Sequence, residues 1–173
     1  ANGIVYLMRE GRPVVYAATP DSLPWLEMNY GDFVSTRTIQ PKMEDVQTVT
    51  VSMPEQSLTF QLSGDKEAIQ ATRDGETVDT TRFKSYYQSL IGVPAEEYTD
   101  SLPASESPLL TIAYAYRDGT KQPDTVRYFA GPTRRVIMQI NGGDCFLTRE
   151  KYLEILLANQ KAIQTDGEIQ PLV

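Results

Sequence analysis

Sliding the chain by 67 residues lays positions 69–90 on 136–157 without a gap, and this internal likeness constrains the fold more than any other feature. Gly75 meets Gly142, Thr81 meets Thr148, Arg82 meets Arg149, Lys84 meets Lys151 and Leu90 meets Leu157, five identities in 22 positions. The matched Gly suits a turn residue at positive φ, and the matched Thr suits a helix N-cap. Any strand–turn–helix unit draws on these residue types, so a repeat requires that the surrounding elements agree as well as the letters.

The elements do agree in type. Residues 46–53 alternate, with Val49, Val51 and Met53 on one face and Thr48, Thr50 and Ser52 on the other. A turn at 54–57 leads to the inward row Leu58, Phe60 and Leu62, and residues 63–66 turn again into a strand at 68–72. Asp74-Gly75 marks a tight turn. Asp79, Thr80 and Thr81 offer cap oxygens to a helix whose Phe83, Tyr86, Tyr87, Leu90 and Ile91 form an apolar stripe, stopped by Gly92 and Pro94. In the second half Leu110, Ile112, Tyr114 and Tyr116 alternate, Val126, Tyr128 and Ala130 form a partner row, and Val136, Met138 and Ile140 form the next. Asn141-Gly142-Gly143 is a hairpin signal, and a short strand follows at 144–147. Thr148 is expected to cap a helix reaching about Ile163, with Tyr152, Ile155, Leu156 and Asn159 on one side and Leu153 and Leu157 beside them.

The predicted fold class is therefore α+β: tandem repeats of an antiparallel β-meander followed by a packing α-helix, each helix burying its stripe against its own sheet. The units fall at 32–98 and 105–173, and the polar stretch 98–108, with Pro103 and Pro108, reads as a linker. Residues 1–31 read as a partial unit, the end of a preceding repeat: a hairpin of runs 4–8 and 14–17 and then a short helix within 19–30. Residues 33–40 read as extended. A chain that enters in mid-unit without an initiator Met is expected to be a piece of a longer protein, and it contains no run of about eighteen apolar residues.

Composition bounds the chemistry. The chain has no His, which removes Ser-His-Asp and Cys-His nucleophile activation, His-ligated zinc and imidazole proton transfer. Its one cysteine, Cys145, excludes an intrachain disulfide, a CxxC redox pair and a Cys-rich metal site. Lys and Arg total 16 against 23 Asp and Glu, a net charge of −7, the wrong sign for a nucleic-acid partner.

Tyrosine is the enriched residue, with ten copies, and Tyr114, Tyr116 and Tyr128 fall on one face or adjacent faces of a hairpin. Exposed, such a row is a candidate binding site for peptide or glycan; buried, it is ordinary sheet packing. Ser63-Gly64-Asp65-Lys66 matches the S-x-x-K pattern of penicillin-recognising enzymes, but it lies between two strands, where a solvated turn is the plainer reading. Asp144-Cys145 lacks a cationic neighbour to favour a thiolate. Cys145 aligns with Val78 in the repeat, so both are expected to point into the sheet–helix interface. Asp65 and Glu67, like Asp74, Glu76 and Asp79, lack the spacing of a calcium loop and suit turn and cap duty. Arg134-Arg135 beside Arg127 reads as a solvated strand end. Neither a metal site, a cofactor nor a catalytic residue is predicted.

The run 32–40, the alternating strand at 46–53, the row at 58–62 and the Asp74-Gly75 turn before a Tyr-rich helix resemble the bacterial domain-of-unknown-function family 4340, over roughly residues 4–165. That resemblance implies repeated strand–hairpin–helix units in an envelope protein, held by one N-terminal membrane helix with its repeats outside the cytoplasm. Genes of such proteins often lie beside ABC-type transporter components. No catalytic residues come with the family. The function expected is that of a non-enzymatic, extracytoplasmic scaffold or protein-interaction module whose partners include transporter components and which meets a membrane only through an anchor absent from this sequence. The alternative is a ligand-binding domain that uses exposed tyrosines.

Overall fold

The computed structural model describes residues 3–23, 39–66, 68–100 and 107–172. Contacts divide the chain into two compact units, 1–34 and 35–173.

In the first unit, β1 (Val5–Met8) and β2 (Val15–Ala18) form the expected antiparallel hairpin, with Met8 opposite Val15 and Val5 opposite Ala18. Gly11 sits in the connection at φ +78°, a conformation that favours glycine. Of the helix expected within 19–30, the described part is a short 3₁₀ turn, Pro20–Ser22. The remainder, and residues 33–38 of the extended run, lie outside the described residues.

Among its described residues the second unit is α+β: one antiparallel sheet of nine strands and two helices. The strands are β3 (Val46–Met53), β4 (Gln56–Ser63), β5 (Gln70–Arg73), β6 (Glu76–Val78), β7 (Glu97–Thr99), β8 (Leu110–Tyr116), β9 (Asp124–Ala130), β10 (Arg135–Ile140) and β11 (Cys145–Arg149), and the helices are α1 (Thr80–Ile91) and α2 (Glu150–Thr165). Their order across the sheet is β6-β5-β4-β3-β8-β9-β10-β11-β7. Each meander thus runs outward from a central β3–β8 pair, where Val49 lies opposite Tyr114 and Val51 opposite Ile112. The strands of both halves join a single sheet, so the two helices share one floor. Residues 98 and 99 of the stretch read as a linker belong to β7, which adds to the far edge beside β11, and residues 101–106 lie outside the described residues.

Both helices cover the same face. Asp79 caps α1 by accepting a hydrogen bond from the Arg82 N–H at 2.8 Å, satisfying one of the free donors of the first turn. The predicted stripe of α1 buries Phe83, Tyr86, Tyr87 and Leu90. Phe60 of β4 stands 5.2 Å from Phe83 and 5.6 Å from Tyr86, ring centre to ring centre, and Tyr87 meets Tyr114 edge-on at 6.0 Å. Such pairs add about 0.5–1.5 kcal/mol each beyond the area they bury. The stripe of α2 is Leu153, Leu156, Asn159, Gln160 and Ile163, with Tyr152 and Ile155 only half-buried.

Two polar residues of that stripe hold the layers together. Gln160, fully buried, accepts a hydrogen bond from the Tyr86 hydroxyl of α1 and donates to the Val51 carbonyl of β3 at 3.3 Å. Asn159 exchanges two hydrogen bonds, of 2.9 and 2.7 Å, with the backbone of Gln170, strapping the C-terminal tail over α2. Arg82 completes the strap, donating to the Asp166 carboxylate at 2.5 Å and to the carbonyls of Ala162 and Gly167 at 2.9 and 2.8 Å.

Thr148 does not cap α2. It is a fully buried residue of β11, its hydroxyl has no hydrogen-bond partner, and the residue flanking the helix is Arg149. Thr81 likewise lies inside α1, one residue beyond its start at Thr80. The matched glycines fare better: Gly75 and Gly142 both adopt positive φ, each preceded by a residue that does so too, Asp74 and Asn141. That pairing is the turn geometry suited to the twist of a two-residue hairpin.

Gln160→Leu is expected to leave the Tyr86 hydroxyl buried and unpaired, at a cost of about 1–3 kcal/mol. Adding Tyr86→Phe should recover most of that loss. Urea unfolding of the two single variants and the double variant measures it, and a Gln160→Leu protein as stable as its parent would contradict the tie.

Candidate interaction surface

In an antiparallel sheet successive side chains alternate between faces, so the row beneath the helices defines a second row on the other side. Following the register outward, Thr77, Thr72, Gln61, Thr48 and Ala115 lie side by side across five strands. The next row is Thr59, Thr50, Ala113 and Thr125, and the next Ser57, Ser52, Thr111 and Arg127. Short hydroxyl side chains pair across the strands: Thr50 with Thr59 at 3.2 Å and Ser52 with Ser57 at 2.9 Å. The chain is 23% charged, yet within strands β6, β5, β4, β3 and β8 no charged side chain takes this face; the charges at its border are Arg127 on β9 and Arg117, just past β8, which donates to the Val46 and Gly64 carbonyls. Among the described residues both helices of this unit pack on the opposite side, and Ser57, Thr59, Gln61 and Thr77 of this face are exposed.

From β9 onward the same face changes character. Phe129, Ile137 and Cys145 form a buried apolar cluster with Leu147 packed against it. At its border Arg135 and Arg149 lie opposite one another on β10 and β11, and Glu96 binds both, at 3.4 and 2.8 Å. The Arg134-Arg135 pair is thus divided: Arg135 is held in this network, while Arg134 is exposed at φ +58° in the turn before β10.

Cys145 therefore faces away from the sheet–helix interface, contrary to the expectation from Val78. Val78 pairs with Ala71 across a two-residue turn, but Cys145 pairs with Gln139, one position beyond the equivalent of Ala71. The extra residue is at the turn. Ile140 accepts a hydrogen bond from the Gly143 N–H at 2.8 Å and donates its own N–H to the Asp144 carbonyl at 3.0 Å, so two residues oppose one. A bulge of one residue sends every following side chain to the other face. Burial, with Asp144 beside it, pushes the Cys145 thiol up, which disfavours a thiolate.

The tyrosine row lies in the core. Tyr114, Tyr116 and Tyr128 are 0%, 6% and 1% exposed, beneath the helices, so the exposed patch that peptide or glycan binding requires is not formed. The Tyr116 hydroxyl donates to Asp124, and the Lys121 ammonium stands 3.4 Å above the ring centre. The Tyr114 hydroxyl is buried without a hydrogen-bond partner. Burial pushes the phenols of Tyr86, Tyr87, Tyr114, Tyr116 and Tyr128 well above their ordinary value.

The remaining candidates have structural duties. Gly64 of the S-x-x-K match turns at φ +82° between strands, its carbonyl accepting from Arg117 at 2.6 Å, and Asp65 accepts from the Ala68 N–H at 3.3 Å. Asp74 holds a turn and Asp79 caps α1. Among the described residues no three Cys, Asp or Glu side chains converge as metal ligands, and no helix is long and apolar enough to cross a membrane. The outer-face rows were only half legible in the sequence. The alternation of β3 places Thr48, Thr50 and Ser52 together, but the strand order that sets Thr59, Ala113 and Thr125 beside them is a tertiary fact.

The family described as a domain of unknown function, DUF4340, matches residues 1–111, ending inside β8 and so taking in the hairpin, the first meander and α1. This is a shorter stretch than residues 4–165, over which the sequence pattern resembles that family. No curated protein and no solved structure matches the chain.

Two measurements check this arrangement. Unfolded phenols titrate near 10 while the buried ones titrate higher, so above about pH 10 the unfolded chain holds fewer protons and stability must fall as pH rises. Tyr114→Phe should flatten that fall and cost nothing at neutral pH, since it removes an unpaired buried hydroxyl. Urea midpoints between pH 8 and 12 decide it, and a pH-independent midpoint would refute the burial. Cys145→Val should cost about 1.5 kcal/mol or less as a near-isosteric swap, whereas Cys145→Asp buries an unpaired charge and should be severe. Rapid labelling of the native thiol, or an indifferent Asp variant, would show the cluster to be open.

Proposed function

The chain belongs to the DUF4340 family of domains of unknown function, and from that membership and the fold we propose that it is a non-enzymatic protein-interaction module whose working surface is the uncharged outer face of its sheet. The observation that carries the reading is the distribution of charge: a strongly acidic chain keeps the outward residues of β3, β4, β5, β6 and β8 neutral. Solvation alone asks for no such exclusion, whereas a surface covered by another protein must avoid leaving charges unpaired when it is desolvated.

In this reading the two meander–helix halves are one unit used twice. The strand order that runs symmetrically outward from β3 and β8, and the matched turns at Gly75 and Gly142, support that description. Residues 1–31 then belong to a further, partial unit. A location outside the cytoplasm, an N-terminal membrane anchor in the full-length protein and association with ABC-type transporter components are part of the proposal, and they rest on the family resemblance.

A photo-crosslinking residue placed at Thr59, in the middle of the open face, tests the interaction reading in the native host. Adducts with protein are expected from Thr59 and not from Lys84 on the exposed side of α1. Adducts from Lys84 alone would move the working surface to the helical side and defeat the proposal. An alkaline phosphatase fusion to the full-length protein, active only after export, tests the compartment.

A further inference from the structure

We propose that the open face is a self-association surface: a second copy of this chain covers it, sheet on sheet. The inference rests on the interaction reading above and adds the identity of the occupant.

Electrostatics selects the occupant. Two copies carry −7 each and repel one another at most orientations. The patch around Thr50 and Thr59 is where they can approach without bringing carboxylates together, because its cross-strand neighbours Ser52, Ser57, Ala113 and Thr125 are all neutral. A partner chosen by opposite charge would instead be met by a basic or acidic patch, and this face has neither from β6 through β8. Shape agrees. Ser, Thr and Ala rise little above the sheet, permitting the spacing of about 10 Å at which sheets pack, and they lose little rotamer freedom when covered. The five strands β6, β5, β4, β3 and β8, of 3, 4, 8, 8 and 7 residues, at a rise of about 3.4 Å and a strand spacing of about 4.8 Å, give a face of roughly 500 Å². Two such faces bury about 1,000 Å² together, the lower end for a specific contact, so the dimer is reversible rather than obligate. A two-fold axis through the patch lets Thr59 of one copy face the same region of its partner, so any substitution there acts twice.

Sedimentation of the whole chain over a concentration series tests this. A monomer–dimer equilibrium is expected, and screening should make it tighter as salt rises, because the net charges repel while the contact itself is uncharged. Thr50→Glu and Thr59→Glu should each weaken the dimer by about tenfold or more, Thr59→Ala should leave it nearly intact, and Lys84→Glu should serve as the control on the helical side. Circular dichroism confirms that each variant is folded. A protein that stays monomeric to about 1 mM, a dimer loosened by salt, or a dimer indifferent to Thr50→Glu and Thr59→Glu overturns the proposal. So does a dimer broken instead by Tyr6→Glu on the exposed side of the β1–β2 hairpin. The two readings fail separately. If the chain is monomeric while Thr59 adducts contain a different protein, the face is an interaction surface with another occupant; if no adduct forms at all, the interaction reading falls as well.

Discussion

The pairing of β3 with β8 is the contact on which the rest of the unit depends. It places the first strand of one meander against the first strand of the other, so that two four-stranded sheets become one. Neither half then needs to cover two edges, and both helices are forced to the same side. The partners Val49 with Tyr114 and Val51 with Ile112 are fully or almost fully buried, so the seam runs through the middle of the core. Antiparallel pairs gain from such direct cross-strand contacts, and a one-residue slip at the seam would turn the core rows of one half to the solvent face.

Apolar burial alone does not determine how two helices sit on one broad sheet, because that force has no direction. Direction comes from polar groups inside the layer. Gln160 on α2 reaches both Tyr86 on α1 and the Val51 carbonyl on β3, so one side chain registers three elements. Arg82 and Asn159 then hold the C-terminal tail across the helix ends. Such buried hydrogen bonds contribute modestly when made and cost more when broken, which is why they specify an arrangement better than they stabilise it.

The two faces of the sheet divide the chemistry. Aromatic and aliphatic residues fill the helical side, including the tyrosines that composition alone offers as a binding row. Ser, Thr and Ala, with Gln61 among them, occupy the other side as far as β8, and a bulge at Gly143 and Asp144 turns Cys145 outward into a separate apolar cluster. The second meander is therefore not a copy of the first in its facing residues, even where the letters align. An interaction surface built on the first meander and the central strands can stay neutral while the described acidic residues lie at turns, strand ends, edge strands and helix surfaces.

The strands of the two meanders, the α1 stripe and the positive-φ turns at Gly75 and Gly142 were legible in the sequence, because each depends on residues within a few positions of one another, whereas β7 lies in a stretch that reads as a linker. Alternation at period two and an apolar stripe at period 3.6 are local consequences of backbone geometry. Of the expected α2 stripe, Leu153, Leu156 and Asn159 are buried, Tyr152 and Ile155 are only half-buried, and Gln160, which the apolar period does not single out, is buried because Tyr86 and the Val51 carbonyl supply its partners. The cap assigned to Thr148 failed because β11 continues through it, held by pairing with Val136. Which face Cys145 takes followed from a one-residue bulge held by two hydrogen bonds to Ile140, and whether Tyr114, Tyr116 and Tyr128 are core or surface followed from where the helices lie. The sequence by itself determined the elements and their two-faced character. Only the tertiary structure decided that β3 meets β8, and hence which face is covered, because strand order is set by contacts such as Val49 with Tyr114, far apart in the chain, that no local period encodes.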